Sequence, residues 1–242
     1  MASATTAVFV LGVCAARIKG NIVSGRITAL KVQKRNHQRV NVYIDGQFAF
    51  GLAAIQAMRL SIGQELSAAE IAQLKEKDQV EGAYELALKF LSYRPRSIAE
   101  VQRRLAEKGW DEHTVEEVVT RLGRSGLLDD ESFVRYWIEN RDTHRPRGCR
   151  ALRYELLQKG VANKLIDVEL ATYDESDAAY RAALAQAAKL VRRSEDTDIV
   201  RKKLLAFLHR RGFSFDMARD ALDRVFSELR AEEADTDWGK RD

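Results

Sequence analysis

The chain has 242 residues, 45% of them hydrophobic and 31% charged, with a formal net charge of +4 and an isoelectric point near 9.0. That is enough apolar matter for one large or two small domains, it excludes a chain disordered throughout, and its modest positive charge permits an acidic partner without requiring one. Two distant cysteines, Cys14 and Cys149, and four scattered histidines exclude a disulfide framework and a metal-ligand cluster, and they favour a reducing compartment.

Residues 1–24 contain the apolar run AVFVLGVCAA (7–16). No Lys or Arg precedes it, so the charged start of a signal peptide is missing, and it falls well short of the roughly 20 residues of a membrane-crossing helix. We read 1–24 as a disordered leader or an over-long start, and expect a cytoplasmic protein. Residues 25–78 change character. RITALKVQ (26–33), RVNVYID (39–45) and QFAFGL (47–52) alternate with the period of strands, and Asp45-Gly46 supplies a tight hairpin turn. Ser67 and Glu70 form a capping box that starts a helix. A small antiparallel β region with one helix is expected.

From there on the pattern is helical and repeats. Both prolines of the chain, Pro95 and Pro146, sit in Arg-Pro-Arg. Each tripeptide precedes a helix ending in Leu-x-x-Lys-Gly, at Gly109 and at Gly160, and a third copy reaches Leu208 and Gly212 without a proline. Each copy resolves into three helical stripes. In the first these are Ala83, Ala87, Leu88 and Leu91, then Ile98, Val101 and Leu105, then Val115, Val118, Val119 and Leu122. Ser97 and Glu100 box the second helix, Gly109 ends it and Asp111 caps the third. The second copy opens on Asp129-Asp130, with Phe133, Tyr136 and Trp137 on its apolar face. The third shows Tyr180, Leu184, Ala187 and Val191, then Ala218, Ala221, Leu222, Val225 and Leu229. The domains expected are therefore three-helix repeats at 79–128, 129–174 and 175–230, followed by a loose tail at 231–242. Proline fixes its own φ and pushes the preceding residue out of the helical region, so Pro95 and Pro146 turn the chain between the first and second helices.

Positive charge gathers on those second helices. The windows 94–109, 145–160 and 197–212 hold five basic residues each against one or two acids. Lys108, Lys159, Arg210 and Arg211 complement the negative helix end. Arg94, Arg96, Arg145 and Arg147 stand at helix starts, where the dipole disfavours cations, so we assign them a role in binding a partner. Arg150 and Arg153 follow Arg147 on one helix surface. With Arg103, Arg104, Arg201, Lys202 and Lys203 they complete the candidate partner-binding set. Phosphate loops, dinucleotide fingerprints, zinc-protease and nucleophile-elbow motifs are missing, so no enzymatic activity, cofactor, metal or small-molecule substrate is expected.

GLLDDESFVRYWIENR (126–141) followed by RALRYELLQKGV (150–161) resembles the signature of the RecX family of bacterial regulators of the RecA recombinase. YIDGQFAFG and LSYRPRS are similar to that family's longer members, and the resemblance covers about residues 26–230. It implies three tandem three-helix repeats in an elongated, curved body with a small N-terminal β region. It also implies binding in the groove of a RecA filament on single-stranded DNA, restraint of its ATPase and strand exchange in recombination and DNA repair, and action by binding as a monomer. A competing reading is a direct nucleic-acid-binding module whose basic second helices track phosphates on single- or double-stranded DNA. A membrane-surface role is disfavoured, because the basic helices lack broad exposed apolar faces.

Overall fold

The computed structural model describes residues 24–191 and 196–238, so the leader lies, Ser24 apart, outside the described residues. It divides into two compact units, Met1–Gly82 and Ala83–Asp242.

The first unit is a sheet backed by a helix. β1 (Gly25–Val32), β2 (Arg39–Ile44), β3 (Gln47–Ala53) and the two-residue β4 (Glu65–Leu66) lie in the order β3-β2-β1-β4, all antiparallel. A single turn, α1 (Ala54–Ala57), follows β3, and α2 (Ala68–Leu91) starts at the Ser67–Glu70 capping box. The Asp-Gly hairpin forms as expected, with Asp45 and Gly46 both at positive φ (48° and 79°), the twist that a two-residue turn needs. Alternation buries Ile27, Val40, Val42, Ile44 and Leu52 on one face, against Leu66 and Ile71. β4 escaped the sequence reading because two residues carry no period.

The second unit is three groups of three helices. The last turns of α2 join α3 (Ile98–Ala106) and α4 (Glu112–Arg124); α5 (Asp130–His144), α6 (Cys149–Gln158) and α7 (Asn163–Leu170) form the next group; α8 (Glu175–Val191), α9 (Thr197–Arg210) and α10 (Phe215–Trp238) form the last. The second helix of each group ends in the same way. Gly109, Gly160 and Gly212 take φ of 83°, 78° and 94°, and the next residue's N–H reaches back to Leu105, Leu156 and Leu208. This is the glycine-dependent helix stop that satisfies the last carbonyls. Those leucines are wholly buried, with Val101 and Leu122 in the first group, Leu152 and Ile166 in the second, and Leu204, Phe213 and Leu222 in the third. Two expected stripe residues face outward instead: Leu88 is 36% and Leu184 37% exposed. In α8 the buried side is mostly alanine, Ala178, Ala179, Ala182, Ala183 and Ala187 with Leu190 near its end, so the helix packs closely on that side and Leu184 faces outward. α10 runs to Trp238, well past residue 231, where the sequence suggested a loose tail.

Candidate functional site

The Arg-Pro-Arg segments do more than turn the chain: each is the seat for the next repeat. At the first joint Ser97 donates its hydroxyl to the Lys159 carbonyl (2.6 Å), the end of the second helix of the following repeat. At the second joint the Gly148 N–H donates to the Arg211 carbonyl (3.0 Å), and Arg211 donates back to the Pro146 carbonyl (3.1 Å). The approach is close enough to demand glycine. A Cβ on Gly160 would lie 2.4 Å from the Ala99 Cβ, and one on Gly148 would lie 2.5 Å from the Gly212 backbone. Gly109, which has no such seat, opens onto empty space.

A second contact recurs beside the first. Asp130, the opening residue of α5, accepts the Ile98 N–H at the start of α3 (2.8 Å). Glu175, the opening residue of α8, accepts the Cys149 N–H at the start of α6 (2.9 Å). Each repeat thus supplies a capping acceptor to the helix of the repeat before it. Asp129, read with Asp130 as a cap, does cap its own helix α5 through the Ser132 N–H (2.8 Å). Burial, followed by Glu175, pushes the Cys149 thiol up to about 12, so it stays protonated and inert.

The two joints differ in charge. At the first, Glu100 is the hub. It closes the Ser97 capping box, takes a two-pronged contact from Arg94 (2.7 and 3.1 Å) and receives the Lys159 ammonium (2.9 Å). Burial works against its charge, but the Arg94 and Lys159 hydrogen bonds and charges outweigh burial and bring the carboxyl down to about 2. The Arg96 guanidinium sits over the Phe90 ring, its central carbon 3.9 Å from the ring centroid. At the second joint the place of Glu100 is taken by Ala151. Arg147 is held by Glu155 (3.0 Å), which also accepts from Trp137 and Arg141 (2.8 Å each). Arg145 is exposed and forms no ion pair among the described residues. The Arg211 guanidinium is pushed below its ordinary pKa by burial, then by the charges of Arg147 and Arg145. A groove of about 480 Å³ runs between α6 and the end of α9, walled by Arg147, Arg150, Tyr154, His209 and Arg210.

The expected partner-binding residues therefore separate. Arg147 and Arg150 line one groove at the second joint, with Arg145 in the joint segment but outside that lining, and Arg94, Arg96 and Arg104 surround Phe90 and Glu100 at the first. Arg103 and Lys202 are exposed, Lys203 is exposed on α9, Arg153 pairs with Asp167 and Arg201 with Asp223. The helix-start arginines were expected to lack a structural explanation; three of the four have one, because Arg94, Arg96 and Arg147 hold internal partners, and Arg145 alone does not. The sequence reading missed Arg210, Arg211 and Tyr154 as parts of one surface. The signal of the two arginines was their position just before the repeat glycine, which helix-end charge complementarity had absorbed, and that of Tyr154 was its place directly after Arg153 on the basic helix.

Among the described residues no cluster of His, Cys, Asp and Glu could hold a metal ion, and no helix is long and apolar enough to cross a membrane.

Four family models match the chain: the Regulatory protein RecX N-terminal domain over residues 25–67, and the first, second and third RecX three-helix domains over 83–122, 129–170 and 177–222. The chain is 31% identical over 208 residues to the Regulatory protein RecX of Leuconostoc mesenteroides, covering 84% of this chain and 77% of that one. It is 30% identical over 207 residues to that of Clostridium botulinum Eklund 17B (84% and 97%), and 30% identical over 203 residues to that of Bacillus subtilis 168 (82% and 76%). A crystal structure of a regulatory protein RecX superposes with a TM-score of 0.64 at 27% identity, covering 82% of this chain and 98% of that one. A RecX structure from Lactobacillus salivarius, at 21% identity and a TM-score of 0.55, covers 62% of this chain and 97% of that one and shares the fold.

Proposed function

The chain belongs to the RecX family of regulatory proteins, and from that premise we propose that it binds the RecA filament on single-stranded DNA and restrains its ATPase and strand-exchange activity. Family membership carries the reading. Its physical support is that both partners repeat: tandem units with recurring basic joints suit a binding surface that itself recurs along a helical filament. The protein acts by occupying the filament groove as a monomer in the cytoplasm, with no catalytic step of its own. The basic residues outside the second joint, chiefly Arg103 and Lys202, offer exposed charge to acidic patches of the filament.

The test is a titration of the full chain into RecA filaments preformed on single-stranded DNA, following ATP hydrolysis. Suppression at amounts well below those needed to coat the DNA is the expected result. Unaltered hydrolysis across the titration, with the protein shown to be folded, overturns the reading.

A further inference from the structure

The groove at the second joint is the one place among the described residues where the repeat scheme leaves positive charge unbalanced. At the first joint Glu100 sits between Arg94 and Lys159. The corresponding cations at the second joint are Arg145 and Arg211, and Ala151 stands where the acid would be. The only carboxylate on the groove, Glu155, is already engaged by Arg141, Arg147 and Trp137. Arg150 offers nothing stronger than a 3.4 Å contact to the His209 carbonyl, and Arg210 has no ion pair among the described residues. In the middle of these cations Tyr154 is 65% exposed, an aromatic ring that packs against no core.

We propose that this groove binds single-stranded nucleic acid, with Arg150 and Arg210 of its lining and Arg145 of the adjoining joint on the phosphates and a base stacked on Tyr154. The proposal deepens the filament reading, on which it rests for the source of the strand: the second joint meets the DNA. Cations alone would fit any acidic partner. The ring selects the strand, because an unpaired base has a π-face to lay on it, and an arginine-flanked aromatic is the usual stacking platform for such bases. Duplex DNA keeps its bases stacked inside and cannot use Tyr154.

The experiment measures fluorescence anisotropy of a labelled oligothymidylate with the full chain over a range of salt. Replacing the two groove cations and the neighbouring Arg145 together (R145Q/R150Q/R210Q, the groove set) weakens binding at least about tenfold and flattens the log–log salt slope by about 2, as expected for about three lost phosphate contacts on a single strand. Tyr154→Ala weakens it about tenfold, and Tyr154→Phe, which keeps the ring, retains wild-type affinity. Ala151→Glu transplants the acid of the first joint and weakens binding by several-fold without removing a single cation. The charge-matched set R124Q/K189Q/R219Q, on surfaces elsewhere in the second unit, changes affinity less than the groove set. The proposal is overturned if the groove set and A151E bind as the wild type does, if the control set loses as much as the groove set, or if Tyr154→Ala is without effect. It is also overturned if the groove variants keep oligothymidylate binding while losing the filament, which gives the groove to a protein surface. Filament ATPase assays run beside these separate the two ideas: wild-type protein that binds the oligomer through the groove but leaves the ATPase untouched ends the filament reading and upholds the groove.

Discussion

The two joints between repeats are built from the same tripeptide and the same closing glycine, yet one is self-contained and the other is not. The first carries a side-chain cap at Ser97, an acid hub at Glu100, and an aromatic cover over Arg96. The second has Gly148 as an N-cap without a side chain, Ala151 in place of the hub, and exposed arginines around a groove. Duplicated architecture and duplicated charge are separable: the carbonyl before the repeat glycine accepts at both places, from the Ser97 hydroxyl at one and the Gly148 N–H at the other, whereas an acid at the position of Glu100 occurs only at the first. The first joint balances its charges internally, and the second leaves Arg145 and Arg210 without an ion pair among the described residues.

The largest effects should come from filling the closest approaches. Gly148→Ala places a Cβ against the Gly212 backbone, which cannot move aside as a flexible side chain can, and should cost roughly 3 kcal/mol or more. Gly160→Ala adds left-handed strain to its clash with Ala99 and belongs in the same range, whereas Gly109→Ala, strained but unobstructed, should cost about 1–2 kcal/mol. Urea denaturation midpoints order the three, and an equal cost at Gly109 and Gly160 would remove the docking role assigned to the glycine.

Next comes the hub. Because the folded-state pKa of Glu100 is depressed to about 2, its contribution is fully present above the ordinary value of 4.5 and is lost as pH falls through that window toward 2. The shift corresponds to on the order of 3 kcal/mol. Glu100→Gln should lower stability by about 2–3 kcal/mol at neutral pH and flatten the acid dependence of unfolding between those limits. Denaturation midpoints collected from pH 7 to pH 2 for both proteins check it; parallel curves would contradict the clamp.

The smaller test concerns the borrowed caps. α3 has its own Ser97 box in addition to Asp130, while α6 relies for side-chain capping on Glu175. Glu175→Ala should therefore cost more, about 1–2 kcal/mol, than Asp130→Ala, about 0.5–1 kcal/mol. Thermal melts of the two variants read the difference, and the reverse order would break the distinction between the joints.

Most of the fold was legible because it is written locally. The Asp45-Gly46 turn, the Ser97–Glu100 box, the Asp111 cap and the three glycine stops each depend on residues a few positions apart. What joins the repeats was not legible. Ser97 meets Lys159, and Glu175 meets Cys149, across separations that no local rule spans. Periodicity also misplaced Leu88 and Leu184, because a helix lined with alanine on one side offers two plausible faces and only the neighbouring helices decide. The binding set was legible as charge and illegible as geometry: the count of arginines was visible, but not which of them find an acid, as Arg94 does in Glu100, Arg147 in Glu155 and Arg153 in Asp167, while Arg145, with Ala151 at the position of Glu100, pairs with none among the described residues.

The capping acids also impose a direction in time. Two of the three second helices take an acceptor from residues synthesised after them: Ile98 from Asp130, and Cys149 from Glu175. The last of these helices needs no successor, since Asp196 caps α9 from its own N-terminus. In a chain made from its N-terminus, the residue that caps the start of α6 is therefore made after α6 itself, and the repeat order of the sequence is also the order in which its second helices gain their borrowed caps.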